Sequence, residues 1–257
     1  MHGISIGRAT GMSQLQKRAV IANDTPASLL SPPLASVAAQ AAAIGLGVRG
    51  AFHPSGDEAR LLADLAAPTG TCVLLGFTGS VQWLHFASSE EANDGLPDPL
   101  DRWSRRLIGT LAREFGAHEL YPSGEPRVPF QRLAAQAESV HSSPIGLLIH
   151  PEWGLWHAYR GALLFQARLA LPARQDAASP CFTCSGQPCL TACPVDAFGA
   201  SGFALRACVA HVTSVAGTEC RERGCRARRA CPVGAEFRYP ADQMRFHMNA
   251  FIRSVGK

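Results

Sequence analysis

No stretch of this chain offers the ~18 consecutive apolar residues that a membrane-spanning helix requires. The longest uncharged stretch, Thr25–Val48, is interrupted by Pro32, Pro33, Gln40 and several serines. The opening segment MHGISIGRATGMSQLQKR lacks the apolar core of ~7–15 residues that marks a secretory signal. These absences lead to the expectation of a soluble, cytoplasmic protein with no membrane span. Charge is scarce too. Of the 257 residues 17% are charged and 47% are hydrophobic, which predicts a packed core rather than a disordered chain. No solenoid repeat is found, and no H-E-x-x-H. Two short patterns match by letter alone. Gly45–Gly50 fits G-x-G-x-x-G, but it follows an expected helix where a dinucleotide site needs a strand. Gly3–Gly7 fits G-x-S-x-G with no strand before it to form a nucleophile elbow.

What the chain does have is a graded organisation. Residues 1–24 read as a mobile tail. An Ala-rich stretch from Pro32-Pro33 through Ile44 predicts a helix stopped by Gly45. Gly47–His53 predicts a short strand, Asp57–Ala67 a helix with Leu61, Leu62 and Leu65 on one side, and Thr71–Phe77 a strand. The next helix has the fullest signature. Asp98 is placed to cap, Pro99 suits the first position, and Leu100, Trp103, Leu107, Leu111 and Phe115 recur at helical steps up to Gly116. Phe130–Glu138 predicts another helix. Ile145–Ile149 and a run within Leu155–Leu171 predict strands around a turn at His150–Gly154, and Pro172–Pro180 reads as a linker. Helices mixed with short strands predict an α/β or α+β layer.

Beyond the linker, cysteine takes over. Of nine cysteines, Cys72 lies in an apolar run and reads as a core residue. The other eight fall between residues 181 and 231. A cytosolic disulfide framework is disfavoured, so the cluster points to metal. Cys181, Cys184, Cys189 and Cys193-Pro194 give C-x2-C-x4-C-x3-C-P, two residues wider than the bacterial ferredoxin run. Cys208, Cys220, Cys225 and Cys231-Pro232 form a second set, again ending in Cys-Pro-Val. In two-cluster ferredoxins the cysteine before proline serves the other cluster. The expected ligand sets are therefore Cys181, Cys184, Cys189 and Cys231 for one [4Fe–4S] cluster, and Cys193, Cys208, Cys220 and Cys225 for the other. Val195, Phe198, Val233 and Phe237 are expected to exclude water nearby. Two structural zinc sites are the competing reading.

Charge follows the cysteines. Residues 204–257 carry ten Lys and Arg against four Asp and Glu, while the first 203 residues carry a small acidic surplus. Arg221, Arg223, Arg226, Arg228 and Arg229 form either a solvated basic loop or a docking patch for an acidic electron donor. Aromatic interleaving is poor there, so nucleic acid is not the expected partner.

With these residues in view, the Cys181–Cys231 array, with Ala204–Thr213 between its halves, resembles the dicluster module of epoxyqueuosine reductase and the corrinoid reductive dehalogenases. Residues 149–164 (IHPEWGLWHAYRGALL) are similar to a stretch of the cytosolic cobalamin-processing family, which removes the upper ligand of cyano- and alkylcobalamins. The resemblance implies a fold of α+β class, a nitroreductase-like layer domain over residues 25–175, then a small bacterial-type dicluster ferredoxin domain over residues 176–257. It also implies a cobalamin or corrinoid near His150, Trp156, His157 and Arg160. Trp153, Trp156 and Tyr159 read either as packing residues or as the lining of a flat macrocycle. No segment matches the catalytic Asp motif of epoxyqueuosine reductase.

Three functions follow as expectations. The first is an iron–sulfur oxidoreductase passing single electrons through two clusters to a bound corrinoid or its substrate. The second is a non-catalytic dicluster carrier serving a partner reductase. The third is an RNA-modifying reductase. The expected partner is an electron donor of the flavodoxin or ferredoxin reductase type. A deep cavity lined by residues 145–165 would favour the first, and a filled core the second.

Overall fold

The computed structural model describes residues 34–124, 127–200 and 202–255. The expected tail at residues 1–24 lies outside them. The chain is a mixed helix-and-sheet protein of α+β class. In order, α1 (Leu34–Ala43), β1 (Gly47–Phe52), α2 (Gly56–Leu65) and β2 (Thr71–Thr78) are followed by two short helices, α3 (Trp83–Ala87) and α4 (Glu90–Asn93). Then come α5 (Pro99–Phe115), β3 (His118–Leu120), α6 (Phe130–Ala137), β4 (His141–Ser142), β5 (Leu148–Ile149) and β6 (His157–Phe165). Four strands form one antiparallel sheet in the order β1-β2-β6-β3.

Both faces of this sheet are covered, which explains the unbroken apolar run of β2. Its side chains still alternate. Val73 and Leu75 of β2, with Leu163 and Phe165 of β6, meet α1 and the Leu100–Trp103–Leu107–Leu111 stripe of α5. Cys72 and Leu74, with Ala162 and Leu164, face Leu62 of α2 and Phe130 and Leu133 of α6. Each large side chain buried this way contributes roughly 1.5–3 kcal/mol.

Two β-bulges break the alternation. One lies between Val48 and Gly50, leaving Arg49 as the extra residue. The other sets Leu75–Gly76 against Gly161 and Tyr159, leaving Arg160 as the extra residue. A bulge re-aims the side chain it carries. Here both re-aimed residues are arginines, and both find carboxylates within the fold.

Several sequence expectations shift by a residue or two at their ends, as helix and strand termini commonly do. Two shift more. The strand expected over Ile145–Ile149 keeps only its last two residues, because Gly146 takes a positive φ in a tight turn. Asp98 does precede α5, but it adopts a left-handed backbone and its side chain makes no capping hydrogen bond. The segment 171–179 forms neither helix nor strand, as a linker should, yet it is strapped down. The Ala177 N–H donates to Ser139 Oγ at 2.9 Å, and Arg174 donates to the Ala135 and Gln136 carbonyls at 2.7 and 2.9 Å.

The remaining elements are a 3-10 turn (Pro180–Thr183), α7 (Pro188–Thr191), the hairpin β7 (Phe198–Gly199) and β8 (Gly202–Phe203), α8 (Leu205–Thr213), α9 (Thr218–Arg223), α10 (Arg226–Ala230), a second 3-10 turn (Ala235–Phe237) and α11 (Ala241–Val255). The last of these returns to the first layer. Phe246 sits edge-on to Trp83 and Phe86, with ring centroids 5.3 and 5.2 Å away. Trp83 Nε1 donates to Asp242 at 2.6 Å. The C-terminal helix therefore crosses the boundary drawn at residue 175. Among the described residues no helix is long and apolar enough to cross a membrane.

Candidate functional site

Eight cysteines gather around two cavities. The first is lined by Cys181, Cys184, Cys189 and Cys231. Cys181 lies on the 3-10 turn, where its N–H donates to Ser179 Oγ at 3.4 Å. The Cys184 N–H closes that turn onto the Cys181 carbonyl at 3.3 Å. The two extra residues of the C-x4-C loop are absorbed at Gln187, which takes φ 33°, and Pro188 then opens α7 with Cys189 in its first turn. Cys231 arrives from the far end of α10. Ile149, Leu155 and Val233 complete the wall.

The second cavity is lined by Cys193, Cys208, Cys220 and Cys225. Cys193 Sγ accepts from the Ala197 N–H at 3.3 Å. Cys208 and Cys220 are carried by α8 and α9, and Cys225 stands at the start of α10. Val195, Phe198, Val212 and Met248 supply apolar lining. Phe237, expected here, instead packs with Phe77, Trp156 and Tyr239. The cavities hold about 370 and 330 Å³ of empty space, part of it open to solvent.

All nine cysteines are free thiols. Burial pushes the thiols of Cys189, Cys225 and Cys231 up, and that of Cys208 to about 11. Repulsion between thiolates adds to this. Cys189 is influenced by Cys231, Cys181 and Cys184, whereas Cys208 is influenced by Cys225, Cys193 and Cys220. Cys72 is fully buried in β2, and burial holds its thiol up at about 12.

Among the described residues no three His, Cys, Asp or Glu side chains stand together as a group able to hold a metal ion. The eight thiols are therefore not a finished metal-binding centre, and the sequence-based expectation of an assembled iron–sulfur or cobalamin centre is not met. The reason is geometric. Four thiolates on one ion all lie about 2.3 Å from a common point, whereas these line the walls of cavities. The zinc alternative falls with it.

The four residues expected around a corrinoid are all engaged inside the fold. His150 Nδ1 accepts from the Glu152 and Trp153 N–H groups at 3.0 and 3.3 Å, and its ring stacks on Trp153 at 3.9 Å. The Nε2 atom must then carry the proton. His157 Nε2 meets the Leu148 carbonyl at 3.0 Å, so there too Nε2 is the donor. Trp156 is fully buried against Tyr239. Arg160 pairs with Asp101 and donates to Ser104 Oγ at 2.9 Å. None of the four lines either cysteine cavity.

A buried polar group escaped the sequence reading. Arg49 donates through one nitrogen to both carboxylate oxygens of Glu138 at 3.0 and 3.1 Å, and Tyr159 donates to Glu138 at 2.5 Å. The guanidinium also lies 4.2 Å from the centre of the Trp153 ring. Burial pushes the Glu138 carboxyl up and holds His150 down at about 4. The bulge at Arg49 is what turns its side chain inward, and no simple alternation signals it.

The arginine run is largely absorbed. Arg226 and Arg229 pair with Glu219 at 3.7 and 2.6 Å. Arg221 donates to the Val212 and Ser214 carbonyls at 2.6 and 2.7 Å. Arg228 turns inward onto the Leu155 carbonyl. Arg223 and Arg226 remain exposed, and Arg221, Arg228 and Arg229 are half-buried. No protein-family model matches the chain, and no curated protein matches it.

Proposed function

We propose that the chain is a dicluster electron-transfer protein of ferredoxin type, each cysteine cavity taking one [4Fe–4S] cluster. The observation that carries this reading is the partition of the eight thiols into two cavities of four, with the two Cys-Pro residues exchanged between the halves. The missing single-ion group bears on mononuclear centres. A cubane places four iron atoms between its four cysteines, so its thiols surround a volume rather than a point. Clusters bound there would supply one-electron storage and transfer.

The protein's own part is placement and shielding. Apolar Ile149, Leu155 and Val233 wall the first cavity, and Val195, Phe198 and Met248 the second. Such walls limit solvent at the sulfurs, which is one of the levers on reduction potential. The Ala197 N–H on Cys193 Sγ is another. Backbone N–H groups of Val233 also face Cys231, and those of Ala227 and Arg228 face Cys225.

The carrier reading is favoured over a reductase with its own substrate pocket. Of residues 145–165, Ile149 and Leu155 wall the first cysteine cavity, while Trp156 and Leu163 are fully buried in the core and line neither cavity. Within this reading the sheet-bearing layer is nitroreductase-like, and its role is to seat the cluster-bearing segment and present it to an electron-donating partner.

The test is anaerobic reconstitution of the full chain with iron and sulfide. About eight iron and eight sulfide per chain, with EPR signals of reduced cubanes after dithionite, are expected. No iron uptake, or retention of zinc alone, overturns the reading.

A further inference from the structure

Helix α10 is only five residues long, yet the cysteines at its two ends serve different cavities. Cys225 precedes it and lines the second; Cys231 follows it and lines the first. Arg228 stands at its middle. The residue before it, Ala227, lines the second cavity, and its hydrogen-bond acceptor, Leu155, lines the first.

The Arg228 side chain is fixed from three sides. Its Nε and Nη2 donate to the Leu155 carbonyl at 3.2 and 2.5 Å. Its guanidinium carbon lies 4.6 Å from the Trp156 ring centre and 4.7 Å from that of Tyr239. Both rings are buried, so the group is held against rigid aromatic faces. Its neighbours Arg226 and Arg229 share a single carboxylate, Glu219, at 3.7 and 2.6 Å. Arg228 has no carboxylate partner among the described residues. It is a half-buried cation on the short helix whose two ends serve the two cavities.

We infer that Arg228 is a positioning residue shared by both cavities, and that its charge sets the electron affinity of both clusters together. This rests on the proposed function. A cluster held by four thiolates is anionic and gains a further negative charge on reduction, so a nearby fixed cation favours the reduced form. Partial burial reduces the screening that would otherwise cancel the effect. A single residue then moves both potentials in the same direction, whereas changes at the cavity walls act on one.

The experiment is an EPR-monitored redox titration of the reconstituted full chain, with iron content measured on the same samples. Arg228→Gln is expected to keep the full iron content and to shift both midpoint potentials to more negative values. Arg223→Gln, at an exposed arginine of the same segment, is expected to leave both where they were. Unmoved potentials in a fully loaded Arg228→Gln protein overturn the inference, as does an equal shift in the Arg223→Gln control. Should Arg228→Gln fail to fold, Arg228→Met keeps an apolar stem against the Trp156 and Tyr239 rings while removing the charge. It is expected to shift both potentials to more negative values, and unmoved potentials in the loaded protein overturn the inference. A wild-type chain that takes up no iron overturns the proposed function as well, while a loaded wild type with an unresponsive variant overturns this inference alone.

Discussion

Gly154 lies directly against the carbonyl of Val233. A β-carbon at 154 would overlap that oxygen, and Gly154 also has φ +55°. Opposite it, Gly234 has φ +65° and abuts the Trp153 backbone in the same way. Two turns, one from the sheet-bearing layer and one just past Cys231-Pro232, thus clasp backbone to backbone. Gly154→Ala is expected to lose about 2 kcal/mol or more, from the left-handed conformation and the overlap together. Gly56→Ala has a similar φ, +53°, but open space around it. It is expected to lose only about 1 kcal/mol. Urea midpoints of the two variants check this; a loss at 154 no greater than at 56 would contradict the clasp.

The Arg49–Glu138 pair is buried, with side-chain exposures of 2% and 9%. Removing one partner strands the other charge. Glu138→Ala alone is expected to destabilise by about 3–5 kcal/mol. Arg49→Met combined with Glu138→Leu is expected to lose much less than the two single changes added. A double-mutant cycle by equilibrium unfolding measures the coupling, and additive losses would show that the pair acts through packing alone.

One buried histidine, His157, and two half-buried ones, His150 and His247, give the fold an acid limit. Burial holds His150 down at about 4, His247 at about 3, and His157 well below its usual range. In the unfolded chain each takes a proton near its ordinary value of about 6.5. The folded state keeps them neutral, so their contribution is complete above pH 6.5 and is lost as pH falls towards 4 and 3. The loss reaches roughly 1.4 kcal/mol per pH unit for each histidine within its window. His150→Gln and His247→Gln are each expected to flatten the slope of unfolding free energy between pH 6.5 and 4. Wild-type slopes in both variants would refute the assignment.

The partition of cysteines predicts the metal content of single variants. Cys189→Ser and Cys208→Ser strike different cavities, so each is expected to lose about half the iron taken up on reconstitution. Cys72→Ser, in the sheet core, is expected to keep all of it. A complete loss in either cavity variant, with the fold intact by circular dichroism, would mean that the sites do not fill independently.

Much of the scaffold was legible because local and global demands agree there. The Leu100–Trp103–Leu107–Leu111 stripe announces α5 because a helix buried on one side needs that spacing. The unbroken Cys72–Phe77 run announces a strand because both sheet faces are covered. The grouping of cysteines followed from the two Cys-Pro endings. What spacing could not give was the direction of single side chains. Arg49 and Arg160 sit at bulges, where alternation fails, and so the basic residue expected to face a ligand turned to Asp101 instead. His150 looked available as a contact, but its Nδ1 is consumed by the N–H groups of the turn it begins. The arginines after Cys220 read as one patch in sequence, yet short helices send them to different partners.

The last cysteine of the first cavity has a consequence for how the molecule is made. Cys181, Cys184 and Cys189 leave the ribosome early, but their enclosure is completed only by Cys231, after the second set has already emerged. The three early thiols must wait, unenclosed, through the synthesis of α8, α9 and α10. Neither half can be finished as a free-standing piece, so a chain truncated anywhere before residue 231 would expose an open cavity to oxidation rather than deliver half a protein.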